Sequence, residues 1–155
     1  MKSDSIIIGG GLSGLTAALV LAEAGQKVTV VSAGQSSLHF GSGSFGLLGY
    51  NVKGQEVGNP LEAISSLSEN HPYNKVGAEN ISVLAKEAKA LLNRSGISTT
   101  GSEKANHYRL SPIGLAIPAW LSLEDMETLT SADELKDKKV TLVNVVGFLD
   151  LPHHY

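Results

Sequence analysis

The apolar positions along the chain change rhythm several times. Ser5-Ile6-Ile7-Ile8 is a short β-branched run with no polar alternation, which predicts a strand buried on both faces. Leu15 to Ala24 is rich in Leu and Ala with no breaker and reads as a helix, stopped by Gly25. Val28 to Val31 is a second apolar run and predicts a second buried strand. Residues 51–59 are polar and read as a loop. Pro60 to Glu69 reads as a short helix with proline in its first turn and Leu61, Ile64 and Leu67 on one face, broken by the turn His71-Pro72-Tyr73. Glu79 to Ser95 repeats Ile81, Leu84, Ala85, Ala88, Leu91 and Leu92 at helical spacing, with Gly96 closing it and Lys86 and Lys89 on a solvated face. Ile97 to Leu121 mixes β-branched and aromatic residues with Gly and Pro breaks, which predicts short antiparallel strands, with Trp120 in a core or interface. Leu123 to Lys139 reads as a polar linker, and Val140 to Val146 as a fresh buried strand.

Between the first strand and the first helix stands Gly9-Gly10-Gly11-Leu12-Ser13-Gly14, a G-x-G-x-x-G turn. Such a turn is informative only with a strand before it and a helix after it, and both are predicted here. Gly9 permits the tight turn, Gly11 lets the backbone approach a phosphate, and Gly14 lets the helix pack close to the strand. Free N–H groups and the positive end of the helix dipole then face the phosphate. The second strand ends on Ser32, where an acid usually holds the ribose hydroxyls of an adenosine half. One serine hydroxyl cannot chelate a diol as a carboxylate does. Either the ligand lacks an adenosine half, as FMN does, or the site holds FAD or NAD weakly, or holds nothing.

The stretch after Ser32 is rich in glycine and serine, yet Leu38, Phe40, Phe45, Leu47 and Leu48 are interleaved, so it can pack. Ser36, Ser37, Ser42 and Ser44 offer hydroxyls to a cofactor and Gly43 offers close backbone approach; a plain Ser/Gly surface loop is the alternative. Arg109 has a fork that matches phosphate oxygens, and His107 is a candidate proton carrier; an exposed strand arginine and a surface histidine are the simpler readings.

Composition narrows the classes. The chain has 155 residues, 42% apolar and 17% charged, with net charge −3, so nothing favours nucleic acid or an anionic membrane surface. With no cysteine, disulfides, Cys-ligated zinc, iron–sulfur clusters in this chain and thiol catalysis are excluded. His153 and His154 lack a nearby carboxylate cluster, so no metal site is expected. No apolar run approaches a membrane span or a signal-peptide core, which makes the cytoplasm the expected location.

The glycine start, "GQSSLHFGSGSFGLL", "HPY", "LSPIG", "WLS" and "KKVTLVNVVGF" occur in one order. Together they resemble the N-terminal part of the B-type subunit of anaerobic glycerol-3-phosphate dehydrogenase, over about residues 6–150, with "GQSSLHFGSGS" the most specific piece. The resemblance implies a flavin protein using FMN, or alternatively FAD. It implies two partners: the A-type subunit, which carries FAD, and the C-type subunit, which carries iron–sulfur clusters at the membrane. It implies oxidation of glycerol 3-phosphate to dihydroxyacetone phosphate, with electrons passed toward quinone, at the inner face of the cell membrane.

The expected fold class is α/β: a Rossmann-like flavin-binding domain of the glutathione-reductase type, with a parallel sheet plus small antiparallel strands, truncated. Residues 1–135 are its N-terminal part; residues 136–155 are a linker and the first strand of a second domain. Family proteins are much longer, and the Gly-Asp contact that completes such sites occurs nowhere in this sequence. The chain by itself is therefore expected to be inactive and to pair with a second copy through an exposed strand. The competing readings are a degenerate scaffold without flavin, another FAD-dependent oxidoreductase, and a nicotinamide-dependent dehydrogenase, which Ser32 disfavours.

Overall fold

A computed structural model describes residues 2–143 except 112, 137, 140 and 142. The predicted strand at Val140–Val146 and the His153–His154 pair lie outside the described residues. The chain divides into two compact units, Met1–Ser42 and Gly43–Tyr155.

The first unit is a β-α-β element. Strand β1 (Ser5–Ile8) pairs in parallel with β2 (Val28–Val31), Ser5 opposite Val28 and Ile8 opposite Val31, and helix α1 (Leu12–Glu23) connects them. Gly25, at φ +84°, ends the helix; its N–H reaches the Ala22 carbonyl and that of Gln26 the Leu21 carbonyl. That φ is left-handed and suits glycine. A 3-10 turn covers Ser37–Phe40.

Both strands were expected to be buried on two faces, and neither is. β1 alternates, with Ile6 67% and Ile8 88% exposed, and Val30 and Val31 of β2 are exposed as well. The apolar runs were read correctly as strands. However, one helix covers one face of a two-stranded sheet, and no described residue covers Ile6 and Ile8. Even the covered face is loose: Leu15, Ala18, Leu19 and Ala22 of α1 and Val28 and Val30 of β2 border an open apolar groove of about 280 Å³. No residue of α1 is buried.

The second unit is built on antiparallel strands. β3 (Ser44–Phe45) and β4 (Thr99–Gly101) flank β7 (Leu121–Leu123), and β5 (His107–Leu110) forms a hairpin with β6 (Ala116–Ala119). Pro118 sits opposite Tyr108 in β6, a strand with one hydrogen-bonded neighbour, where a missing N–H is tolerated. Helix α4 (Ala78–Arg94) buries Ile81 and Ala85, the stripe its periodicity predicts, and Ala85 joins Trp120 and Leu121 in a core closed by Phe45, Leu47 and Leu92.

Two predicted elements are divided differently. The helix expected over Pro60–Glu69 is α2, Pro60–Ile64, capped by Asn59 Oδ1, which accepts from the Leu61 and Glu62 amides. It stops early because the Ser65 and Ser66 hydroxyls donate to the Glu62 and Ala63 carbonyls, competing with the helical ladder. His71-Pro72-Tyr73 does more than stop a helix. His71 Nδ1 accepts from the Tyr73 amide and starts α3 (Pro72–Val76), while Tyr73 Oη donates to the Leu47 carbonyl at 2.8 Å.

Candidate functional site

The first unit carries the glycine turn. β1 runs straight into Gly9, whose φ of +113° suits glycine and whose N–H bonds the Val31 carbonyl at 2.8 Å. A side chain at Gly14 would collide with the Gly9 carbonyl oxygen, so the helix can start this close to the strand only with glycine there. A Cβ at Gly11 would meet nothing within 4 Å, and its extended φ of −77° suits any residue. Space therefore lies open beside the start of α1. No side chain caps that end, and no acidic residue occupies its first turn. An uncapped helix start with an open flank and the positive end of the dipole is a fitting receptor for phosphate oxygens.

Ser32 stands beside this turn. A Cβ at Gly10 would fall 2.8 Å from Ser32 Oγ and 3.1 Å from Ser32 Cβ, so Ser32 lies directly against the turn. The Ser32 hydroxyl donates to the Gly34 carbonyl at 3.2 Å. Ser36 caps the 3-10 turn, its Oγ accepting from the Leu38 amide, and Ser37 is the first residue of that turn.

The second unit holds the remaining candidates. Gly43, at φ +69°, sits against Leu123 and Met126, and Ser44 pairs with Ser122 in the sheet. The loop expected to act as one cofactor-facing piece thus divides. Ser36, Ser37 and Ser42 share a unit with Gly9, Gly11, Gly14 and Ser32; Gly43 and Ser44 share the other with His107 and Arg109.

His107 and Arg109 are alternate residues of β5 and share one face of the strand. Arg109 Nη1 donates to the Glu127 carbonyl. Its side chain borders a cavity of about 230 Å³ with Leu110, Asp125, Met126, Glu127 and Leu129. His107 Nε2 lies 2.7 Å from the hydroxyl of Ser122, which is 0% exposed. Burial, and secondarily the Arg109 charge, hold the His107 pKa below the usual histidine range. Between them, Tyr108 Oη donates to Glu56 at 2.7 Å, and that bond, with burial behind it, pushes the phenol up to about 12.

Two residues escaped the sequence reading. Ser122 is one; its signal was a lone hydroxyl between the leucines of β7. Gly101 is the other. At φ +117° a side chain there would collide with the Trp120 carbonyl and lie 2.9 Å from His107 Cε1. Lys89 also departs from expectation: its Nζ donates to the Gly101 carbonyl at 2.9 Å in a half-buried setting. The periodicity of α4 could not show that a carbonyl awaits this lysine. Among the described residues no three His, Asp or Glu side chains gather where a metal ion could be held, and no helix is long and apolar enough to cross a membrane.

Residues 4–148 match the FAD binding domain family. The chain is 45% identical over 154 residues to the anaerobic glycerol-3-phosphate dehydrogenase B-type subunit of Yersinia pestis, covering 97% of this chain and 36% of that protein. The proteins of the same name from Pectobacterium atrosepticum and Aliivibrio fischeri are 42% and 37% identical, over 97% of this chain and 36% and 34% of theirs. The resemblance carried by the GQSSLHFGSGS segment and its companions is borne out. The chain spans just over a third of the length of these curated relatives. No solved structure matches.

Proposed function

The chain belongs to the FAD binding domain family, and from that premise we propose that it is flavin-holding sequence of the B-type subunit of an anaerobic glycerol-3-phosphate dehydrogenase. The reaction is oxidation of glycerol 3-phosphate to dihydroxyacetone phosphate, with electrons passed toward quinone. The observation that carries the reading is the open, uncapped start of α1 beside a glycine turn that tolerates no side chain at Gly14. In this reading the fold is Rossmann-like, of the glutathione-reductase type. Residues 1–135 are the N-terminal part of the flavin domain.

A bound flavin supplies the electron chemistry, taking two electrons and handing them on. The chain's own residues bind and orient. Amides at the Gly9–Gly14 turn hold the phosphate, and Ser36, Ser37 and Ser42 of the same unit line the approach to the cofactor. Arg109 and His107 serve the phosphorylated substrate. Ser32 favours FMN over FAD, because its one hydroxyl bonds the Gly34 carbonyl and offers no carboxylate to an adenosine ribose. The partners are the FAD-carrying A-type subunit, and the iron–sulfur C-type subunit, which brings the cytoplasmic assembly to the inner face of the cell membrane.

Extraction of the flavin from the protein purified with its partners, followed by mass identification, tests this. FMN is the expected result. FAD in its place overturns the assignment to Ser32, and a colourless protein favours a scaffold role.

A further inference from the structure

We propose that Ser122 is a positioning residue that holds His107 in a single neutral tautomer, making His107 a hydrogen-bond donor to an anionic substrate oxygen and not the base that takes the substrate's proton. The inference rests on the reading that His107 serves the substrate. It starts from Ser122, a hydroxyl with no exposure to water, in the central strand of a three-stranded sheet. A hydroxyl buried that completely must give its proton to an acceptor or forfeit a hydrogen bond. Among the described residues its hydrogen-bond contact is His107 Nε2, at 2.7 Å. The Ser122 O–H therefore donates, and Nε2 is the acceptor.

An Nε2 lone pair so engaged leaves the ring proton on Nδ1. The imidazolium form is disfavoured too, since it turns Nε2 into a second donor facing Ser122. Burial and the Arg109 charge act in the same direction on the ring. The ring is also fixed from the side. Gly101 leaves no more than the room the imidazole needs, as a Cβ there would stand 2.9 Å from His107 Cε1. Lys89, bonded to the Gly101 carbonyl, anchors that backbone to α4. Ser122 and Gly101 thus flank one histidine from positions far apart in sequence, and Lys89 holds Gly101 in place. A neutral ring with Nδ1–H, one position along the strand face from the Arg109 fork, is suited to phosphate or carbonyl oxygen.

Two-bond proton–nitrogen correlation of the imidazole in the purified protein tests this, with His107→Gln assigning the signal. The expected result is a protonated Nδ1 and an unprotonated Nε2. Ser122→Ala should mix the tautomers and raise KM for glycerol 3-phosphate about tenfold with kcat nearly unchanged, and Ser122→Thr should restore both. A protonated Nε2 in the unaltered protein overturns the inference, and that measurement needs no variant to fold. So does a folded Ser122→Ala protein with unchanged tautomer and KM, or one in which kcat alone falls, which would return His107 to the role of base. Loss of flavin from the unaltered protein would defeat the proposed function alone, and the nitrogen shifts would still decide the tautomer.

Discussion

The two units are held in opposite ways. In Gly43–Tyr155, side chains cap α2 and α3, Leu121 and Ile64 are each 1% exposed, and a polar contact as deep as Ser122–His107 is completed within the unit. In Met1–Ser42, α1 has no side-chain cap and no buried residue, and the isoleucines of β1 stand in the open. The second unit caps its two short helices with side chains, and α4, which starts on Gly77 without a cap, carries Glu79 in its first turn. The first leaves its helix start available. A binding turn must stay unsatisfied by its own chain, and α1, with neither a side-chain cap nor an acid in its first turn, meets that requirement where α4, with Glu79, does not.

Removing a leucine side chain from each unit should cost unequally. Leu121→Ala should cost about 3 kcal/mol, the usual range for emptying a fully packed leucine site. Leu19→Ala, on a helix position 39% exposed, should cost about 1 kcal/mol. Denaturant unfolding monitored by circular dichroism measures both. Equal losses would mean the groove under α1 is packed in solution and the contrast false.

A second test stays within the glycine turn. Gly14→Ala drives a methyl into the Gly9 carbonyl and should destabilise by about 2 kcal/mol, whatever the ligand. Gly11→Val adds a branched side chain where the backbone is extended and space is open, so the fold should stand while flavin affinity falls more than about tenfold. Stability comes from the melting curve and affinity from flavin fluorescence. Unchanged flavin binding in a folded Gly11→Val protein would remove this turn from the phosphate site.

The third effect is smaller and belongs to the second unit. His107 titrates below its usual value of 6.5 in the folded chain. The unfolded chain then binds more protons as pH drops below that value, so the folded state loses stability as pH falls through 6.5 and toward the folded pKa. His107→Gln should flatten that part of the stability–pH curve. A curve with the same slope in the variant would place the acid sensitivity elsewhere.

Legibility followed the same division. The first unit was readable residue by residue, because a strand, a glycine turn and a helix are local statements: Ser5–Ile8, Gly9, Gly14 and Gly25 all do what their positions imply. What failed there was burial, since an apolar run says that a strand wants cover, not that its neighbours supply it. In the second unit the periodic helix α4 was readable, while its contacts were not. Ser122 and Gly101, from one sheet, meet His107 from another, and Lys89 reaches the Gly101 carbonyl from α4; no spacing rule in one sequence brings position 89 to position 101 or position 107 to position 122.

The smallest expected effect tests Ser32. Its hydroxyl bonds the Gly34 carbonyl and its Cβ lies 3.1 Å from where a Gly10 side chain would begin, so it is set against the turn and directed at its own loop. A carboxylate at this place helps only a ligand with a second ribose to chelate. FMN has none. Ser32→Glu should therefore leave FMN affinity within about twofold, less than about 0.5 kcal/mol, in a flavin-fluorescence titration. The glutamate has room to turn toward solvent, since Ser32 is exposed. FAD affinity is the discriminating arm. A rise of more than about tenfold for FAD, with FMN unmoved, would mean that the turn already accommodates the adenosine half and that its weak point was the missing acid. The open helix start would then be a depleted FAD site, and the choice of FMN would have to come from residues other than Ser32.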